Sequence, residues 1–216
     1  MMAAILEQLN DLMKPVMDSV SIQRTAPLVL DAGHGGEDGG AVSLTGVPES
    51  QINLAIVLKL RDILGLYGVD PVVLREDDVS LHDEGASTLR EKKRSDLQNR
   101  VSAVEEVEGG TLISIHQNTY TSSRYRGSHV FYAPTQGSQP LAGHIQACIK
   151  ASLQPENDRA VKEIPSSVYL MSHITCPAVL IECGFLTNPE EEALLRDKDY
   201  QRQLSAVIAA GWLTAP

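Results

Sequence analysis

A chain of 216 residues suits one domain and is long enough for a substantial core. Eighteen basic against 28 acidic residues give a net charge of −10, which argues against a nucleic-acid partner, because phosphates call for a basic face. Three widely spaced cysteines, Cys148, Cys176 and Cys183, form no C-x-x-C pair and so suggest neither a disulfide framework nor a cysteine-rich metal knot.

Residues 3–17 place Ile5, Leu6, Leu9, Leu12, Met13, Val16 and Met17 at helical spacing, interrupted or ended near Pro15, which predicts an amphipathic helix. Glu7, Asn10 and Asp11 interrupt this run, so it lacks the apolar core of a signal peptide. No apolar run approaches the ~20 residues that span a bilayer. Residues 1–25 are expected to be an N-terminal amphipathic helix and linker, and 26–216 the main domain. An apolar strand at 27–30 stops at Asp31 and gives way to five glycines within 33–40, with His34 among them. Glycine lets a loop turn tightly or approach a ligand closely. A helix is expected over 49–66, a strand over 71–74, a charged surface excursion over 76–96 and a helix over 95–106. Strand 111–116 ends in His116. A strand near 128–132, a helix over 138–153 and a polar loop to Pro165 follow. Strand 177–182 ends in Glu182, Asn188 caps a helix entered through Pro189, and residues 199–213 close the chain as a helix. Strands alternating with helices predict a three-layer α/β fold with a mostly parallel sheet.

Three apolar strands thus run into His34, His116 and Glu182, and Glu49 opens the helix that follows the glycine loop. In a parallel sheet the strand ends share one rim, where α/β sites form. Two histidines and a carboxylate with an open position make a catalytic zinc shell, and a further carboxylate can shuttle a proton. His34, Glu49 and His116 are the expected ligands and Glu182 the general base and acid. Each has a plainer reading: Glu49 as a helix N-terminal acid, His116 as a hydrogen-bonded core histidine. Glu182 resists one, since a carboxylate ending a buried strand is costly unless paired or used.

The stretches Asp31–Gly40, Glu49–Leu54, Ser114–Asn118 and Ile181–Pro189, in this order with Arg75, Arg100 and the strand Gly127–Tyr132, resemble the zinc-dependent N-acetylmuramoyl-L-alanine amidases. These enzymes cleave peptidoglycan stem peptides from muramic acid. The resemblance covers residues 26–214. It implies zinc at His34, Glu49 and His116, an acid/base at Glu182, and a twisted, mostly parallel sheet of about six strands with the metal at its C-terminal rim.

Only eight residues separate Asn118 from Gly127, so the blocking helix of some cell-division members is expected to be absent. The longer segment between Arg75 and Arg100, with Val168–Ser172, is similar to sporulation amidases, which prepare muramic acid for lactam formation in the spore cortex. That subgroup implies action on the outer side of a membrane, although no leader or anchor is visible. The competing readings are another zinc peptidase or deacetylase of cell-wall material, and a non-catalytic glycan- or peptide-binding module. Oligomeric state and the need for a protein activator stay open. Cys183 is expected in the core, and His82, His129, His144 and His173 in structural roles.

Overall fold

The computed structural model describes residues 26–216. The helix expected over 3–17, and with it the division at residue 25, lies outside the described residues. The chain runs β1 (Leu28–Ala32), α1 (Glu49–Leu66), β2 (Val72–Val73), α2 (Leu89–Glu105), β3 (Thr111–Asn118), β4 (His129–Tyr132) and α3 (Ser138–Ser152). It continues through β5 (Lys162–Glu163), α4 (Tyr169–His173), β6 (Ala178–Phe185), α5 (Pro189–Arg196) and α6 (Lys198–Leu213). The six strands form one sheet in the order β2-β1-β3-β6-β4-β5. Only the β4–β6 pairing is antiparallel, so the expected mostly parallel α/β sheet is present.

Alternation along the central strands sorts the two faces of the sheet. Leu28, Leu30 and Ala32 of β1 join Ile113, Ile115, Val179 and Ile181 in one core, covered by α1, α3 and α6. The intervening Val29, Leu112 and Leu180 join a second core with Val104 of α2 and Leu170 and Met171 of α4. Each fully buried aliphatic side chain contributes about 1.5–3 kcal/mol of transfer free energy. Towards their C-terminal ends the same strands carry polar residues on the second face: Asp31 after Val29, Ser114 and His116 after Leu112, and Glu182 after Leu180. Register pairs Asp31 with Ser114 and His116 with Glu182.

Two expectations need correction on this second face. The helix expected from residue 95 begins at Leu89, because Thr88 and Glu91 form a reciprocal capping box. Its first turns are charged and exposed, and only Ser95, Asp96, Arg100 and Val104 are buried, so no apolar periodicity announces it. The loop before β6 contains the five-residue helix α4, and the polar stretch before Pro165 holds the two-residue strand β5. No helix forms between Asn118 and Gly127, as expected, and no described helix is long and apolar enough to cross a membrane.

Leu60 of α1 is fully buried between the sheet and α6. Leu60→Ala is expected to lower the unfolding free energy by about 2–5 kcal/mol through the cavity it leaves. In urea denaturation this reads as a lower midpoint at unchanged slope.

Candidate metal centre

β1 delivers the chain to the rim, and the glycine loop turns it back across the end of β3. His34 takes a left-handed backbone conformation, φ 63°, which is strained for a residue with a Cβ and persists only where the surroundings enforce it. Two arginines enforce it. Arg75 donates to the main-chain oxygens of Ala32 (2.8 Å), Gly33 (3.1 Å) and Ser50 (2.9 Å). Arg100 donates to Ala32 O at 3.1 Å and His34 O at 2.7 Å. Arg100 also forms a buried ion pair with Asp31 and a second, 2.8 Å bond to Asp96. Ser114 Oγ donates to the other Asp31 oxygen at 2.6 Å. Burial pushes the Asp31 carboxyl up, but Arg100 and the Ser114 hydrogen bond outweigh it and hold Asp31 below its ordinary value.

The loop, α1 and β3 bring His34, Glu49 and His116 together, with one donor atom of each within 4.8 Å of the others. His34 Nε2 lies 3.4 Å from Glu49 Oε2, and His116 Nδ1 lies 3.1 Å from Glu49 Oε1. Tetrahedral zinc, with bonds of about 2.0–2.2 Å, sets its donors roughly 3.4 Å apart, so the spacing and the nitrogen–oxygen donor set fit that ion. The His34 ring presents its other nitrogen, Nδ1, to Asp38 at 3.1 Å, the outer hydrogen bond that fixes which nitrogen faces a metal. Glycine makes the fit possible: a Cβ at Gly33 would collide with the His116 ring, and one at Gly40 would meet Glu49 Oε2 and His34 Cδ2 at 2.7 Å.

Glu49 is held from several sides. It accepts from the main-chain nitrogens of Ala41 and Gln117, both at 3.0 Å, and from Asn53 Nδ2 at 3.3 Å. Burial raises its carboxyl, but the His116 hydrogen bond and the charges of His116 and His34 bring it down to about 2, so it stays ionised. Glu182 faces the opposite balance. Burial pushes it up to about 7, with His116 pulling it down and Glu49 pushing it up. Its Oε2 is buried with no hydrogen-bond partner among the described residues. An unsatisfied buried carboxylate oxygen beside a cluster of metal-type donors makes Glu182 a candidate functional group.

Asp38, Asn53 and Gln117 escape a reading of the sequence, although two had a local signal. Asp38 and Asn53 each stand four residues after a candidate ligand, His34 and Glu49 respectively. Gln117 Nε2 donates to Asn53 Oδ1 at 3.1 Å and had none. The remaining histidines are engaged elsewhere: His82 with Ser80, His129 with Ala160 O, His144 with Thr214 and His173 with Tyr169 O. Cys183 is fully buried in the core beneath α3 and α6. Arg126 lies 3.5 Å from Glu190.

The family described as N-acetylmuramoyl-L-alanine amidase matches residues 28–213. The germination-specific N-acetylmuramoyl-L-alanine amidase of Bacillus subtilis is 35% identical over 187 residues, covering 86% of this chain and 78% of that protein. The CwlD amidase from Clostridioides difficile, solved in complex with the GerS lipoprotein, superposes with a TM-score of 0.83 at 38% identity, covering 87% of this chain and 96% of that one. The catalytic domain of the amidase CwlV from Paenibacillus polymyxa superposes with a TM-score of 0.71 at 31% identity, covering 87% and 96%.

Asp31→Asn removes the charge that balances Arg100 and is expected to cost about 3–5 kcal/mol at neutral pH. Asp31 has a depressed carboxyl, so its contribution is full above the unfolded value of about 3.9 and is lost as pH falls towards the folded one. Denaturant titrations of both proteins should show the gap widest above about pH 5 and shrinking below about pH 4.

Proposed function

This chain belongs to the N-acetylmuramoyl-L-alanine amidase family, whose reaction is hydrolysis of the amide between muramic acid and L-alanine of peptidoglycan, and we propose that it works as a zinc enzyme. His34, Glu49 and His116 would hold the ion, and Glu182 moves the proton. One observation carries the reading: three metal-type donors converge within 4.8 Å beside a carboxylate oxygen that has no partner of its own among the described residues.

Zinc held there would supply Lewis acidity and would lower the pKa of a water from about 16 towards 7. The protein supplies the proton path. With its carboxyl raised to about 7, Glu182 is poised to take a proton from the attacking water and return it to the departing alanine nitrogen. Glu49, ionised and fixed by main-chain amides, brings negative charge to the donor group without competing for that proton. Asp38 orients the His34 ring, and Asn53 and Gln117 hold Glu49 in place.

The likeness to a germination-specific amidase and to CwlD supports a role on spore-cortex peptidoglycan, where removal of stem peptides prepares muramic acid for lactam formation. Such a role puts the enzyme on the outer side of a membrane. The capture of CwlD with a lipoprotein supports a protein partner for this chain as well.

Elemental analysis is expected to find about one zinc per chain, and a chelator should abolish release of stem peptides from spore-type peptidoglycan. Glu182→Gln should lower turnover by roughly 10²–10⁴-fold while zinc content stays at that of the parent. His34→Ala and His116→Ala should instead lose the metal. Full zinc occupancy in the histidine variants, or undiminished turnover in Glu182→Gln, would refute the assignment.

A further inference from the structure

Helix α2 carries four basic residues within five positions, Arg90, Lys92, Lys93 and Arg94, on a protein whose net charge is −10. Two of them are engaged. Lys92 Nζ lies 2.8 Å from Glu37, and Lys93 Nζ lies 3.2 Å from Asp38. Glu91, the one acid in the run, is turned back to the helix start, where it accepts from the main-chain nitrogens of Ser87 and Thr88. Arg90 and Arg94 are exposed, one helical turn apart, and have no ion-pair partner among the described residues.

These two guanidinium groups do not face open surface alone. Arg90, Lys93 and Arg94 line a shallow depression with Leu97 and Tyr169. Lys93, Leu97 and Tyr169 also line the cleft that contains His34 and His116. The two hollows share these three residues and adjoin as a groove that leads from His34 and His116, past Leu97 and Tyr169, to two guanidinium groups with no ion-pair partner among the described residues. Two arginines with no ion-pair partner among the described residues, at the end of the cleft of an acidic protein, make an anion-attracting patch there, against the repulsion of the rest of its surface.

We propose that this groove receives the peptide arm of the substrate, with Arg90 and Arg94 binding the free carboxylates that the stem peptide carries beyond its L-alanine. The proposal rests on the amidase reading, because that reaction places a peptide, and not a second sugar, on the leaving side of the scissile amide. Guanidinium suits the task, since its planar fork pairs with a carboxylate through two parallel hydrogen bonds. The pair sits in solvent, so it acts on substrate affinity and capture rather than on the chemical step.

The test is calorimetric titration of zinc-loaded protein with a synthetic tripeptide beginning L-alanyl-γ-D-glutamyl, its carboxylates free, beside the same peptide fully amidated. Arg90→Gln/Arg94→Gln should bind the free-acid peptide about tenfold more weakly, roughly threefold for each exposed pair. It should bind the amidated peptide as the parent does, and added salt should narrow the difference. With a muropeptide substrate the double variant should show a raised KM at unchanged kcat. Equal losses for both peptides, no loss for either, or a parent protein that binds neither would overturn the proposal, and no loss would leave the patch to an acidic protein surface. A parent that binds the acid peptide but cleaves no muropeptide would contradict the amidase reading and leave the groove assignment standing.

Discussion

The buried pair between Arg100 and Asp31 is the contact on which the rest of the site depends. A guanidinium inside the protein must find partners for five donors, and Arg100 finds them in Asp31, Asp96 and the main-chain oxygens of Ala32 and His34. Those four partners lie at the end of β1, in the glycine loop and on α2 itself. One side chain thus decides where the strand stops, where His34 turns, and how α2 lies against the second face of the sheet. Arg75 repeats the device on the other side, tying Ala32 and Gly33 to the start of α1 through Ser50. Glu49 is carried in with that helix end. The donor group is therefore positioned by main-chain oxygens hydrogen-bonded to two arginines rather than by the loop's own preferences.

The alternation of β3 and β6 supplies the other half of the site. Ile113, Ile115, Ile181 and Cys183 face one core, so Ser114, His116 and Glu182 must face the other. There the sheet is left open at its C-terminal rim, where the cleft forms. The polar residues are stacked by depth. Asp31 and Ser114 lie deeper and serve structure; His116 and Glu182, one residue pair nearer the rim, are the two to which the proposed chemistry is assigned. Opposite shifts of Glu49, down to about 2, and Glu182, up to about 7, follow from what offsets burial in each. Glu49 has the His116 hydrogen bond and the charges of His116 and His34, while Glu182 Oε2 meets no hydrogen-bond partner among the described residues.

Much of this was readable in the chain. Pro27–Leu30, Thr111–Ile115 and Pro177–Ile181 are apolar runs that stop at polar residues, and a parallel sheet places such ends on one rim. The crowded glycines announced a close approach, which the structure locates at Gly33 against His116 and at Gly40 against Glu49. The start of α2 was not readable, because its first turns are held by a capping box and point charged residues at water. The short α4 was hidden by its length, since five residues are too few for a periodic pattern. Arg100 was visible as a residue but not as a buried hub, because nothing in a polar helix marks which of its arginines turns inward. Asn53 and Asp38 could have been found by looking four residues beyond each candidate ligand, along α1 for Asn53 and across the glycine loop for Asp38, whereas the role of Gln117 depends on the path of β3 beside α1.

The left-handed turn at His34 has a thermodynamic consequence. A loop that must organise itself around an ion surrenders conformational entropy as it binds, roughly 1–2 kcal/mol for each residue fixed, and that loss is subtracted from its affinity. Here the strained residue is already held by Arg100 through its carbonyl and by Asp38 through its ring, with Glu49 in place before it. The ordering is then part of folding, so a cation bound as proposed would meet donors already held in place by these contacts. Selection among ions would then fall to the spacing and chemistry of the donors themselves, and not to how far the protein can be persuaded to close around them.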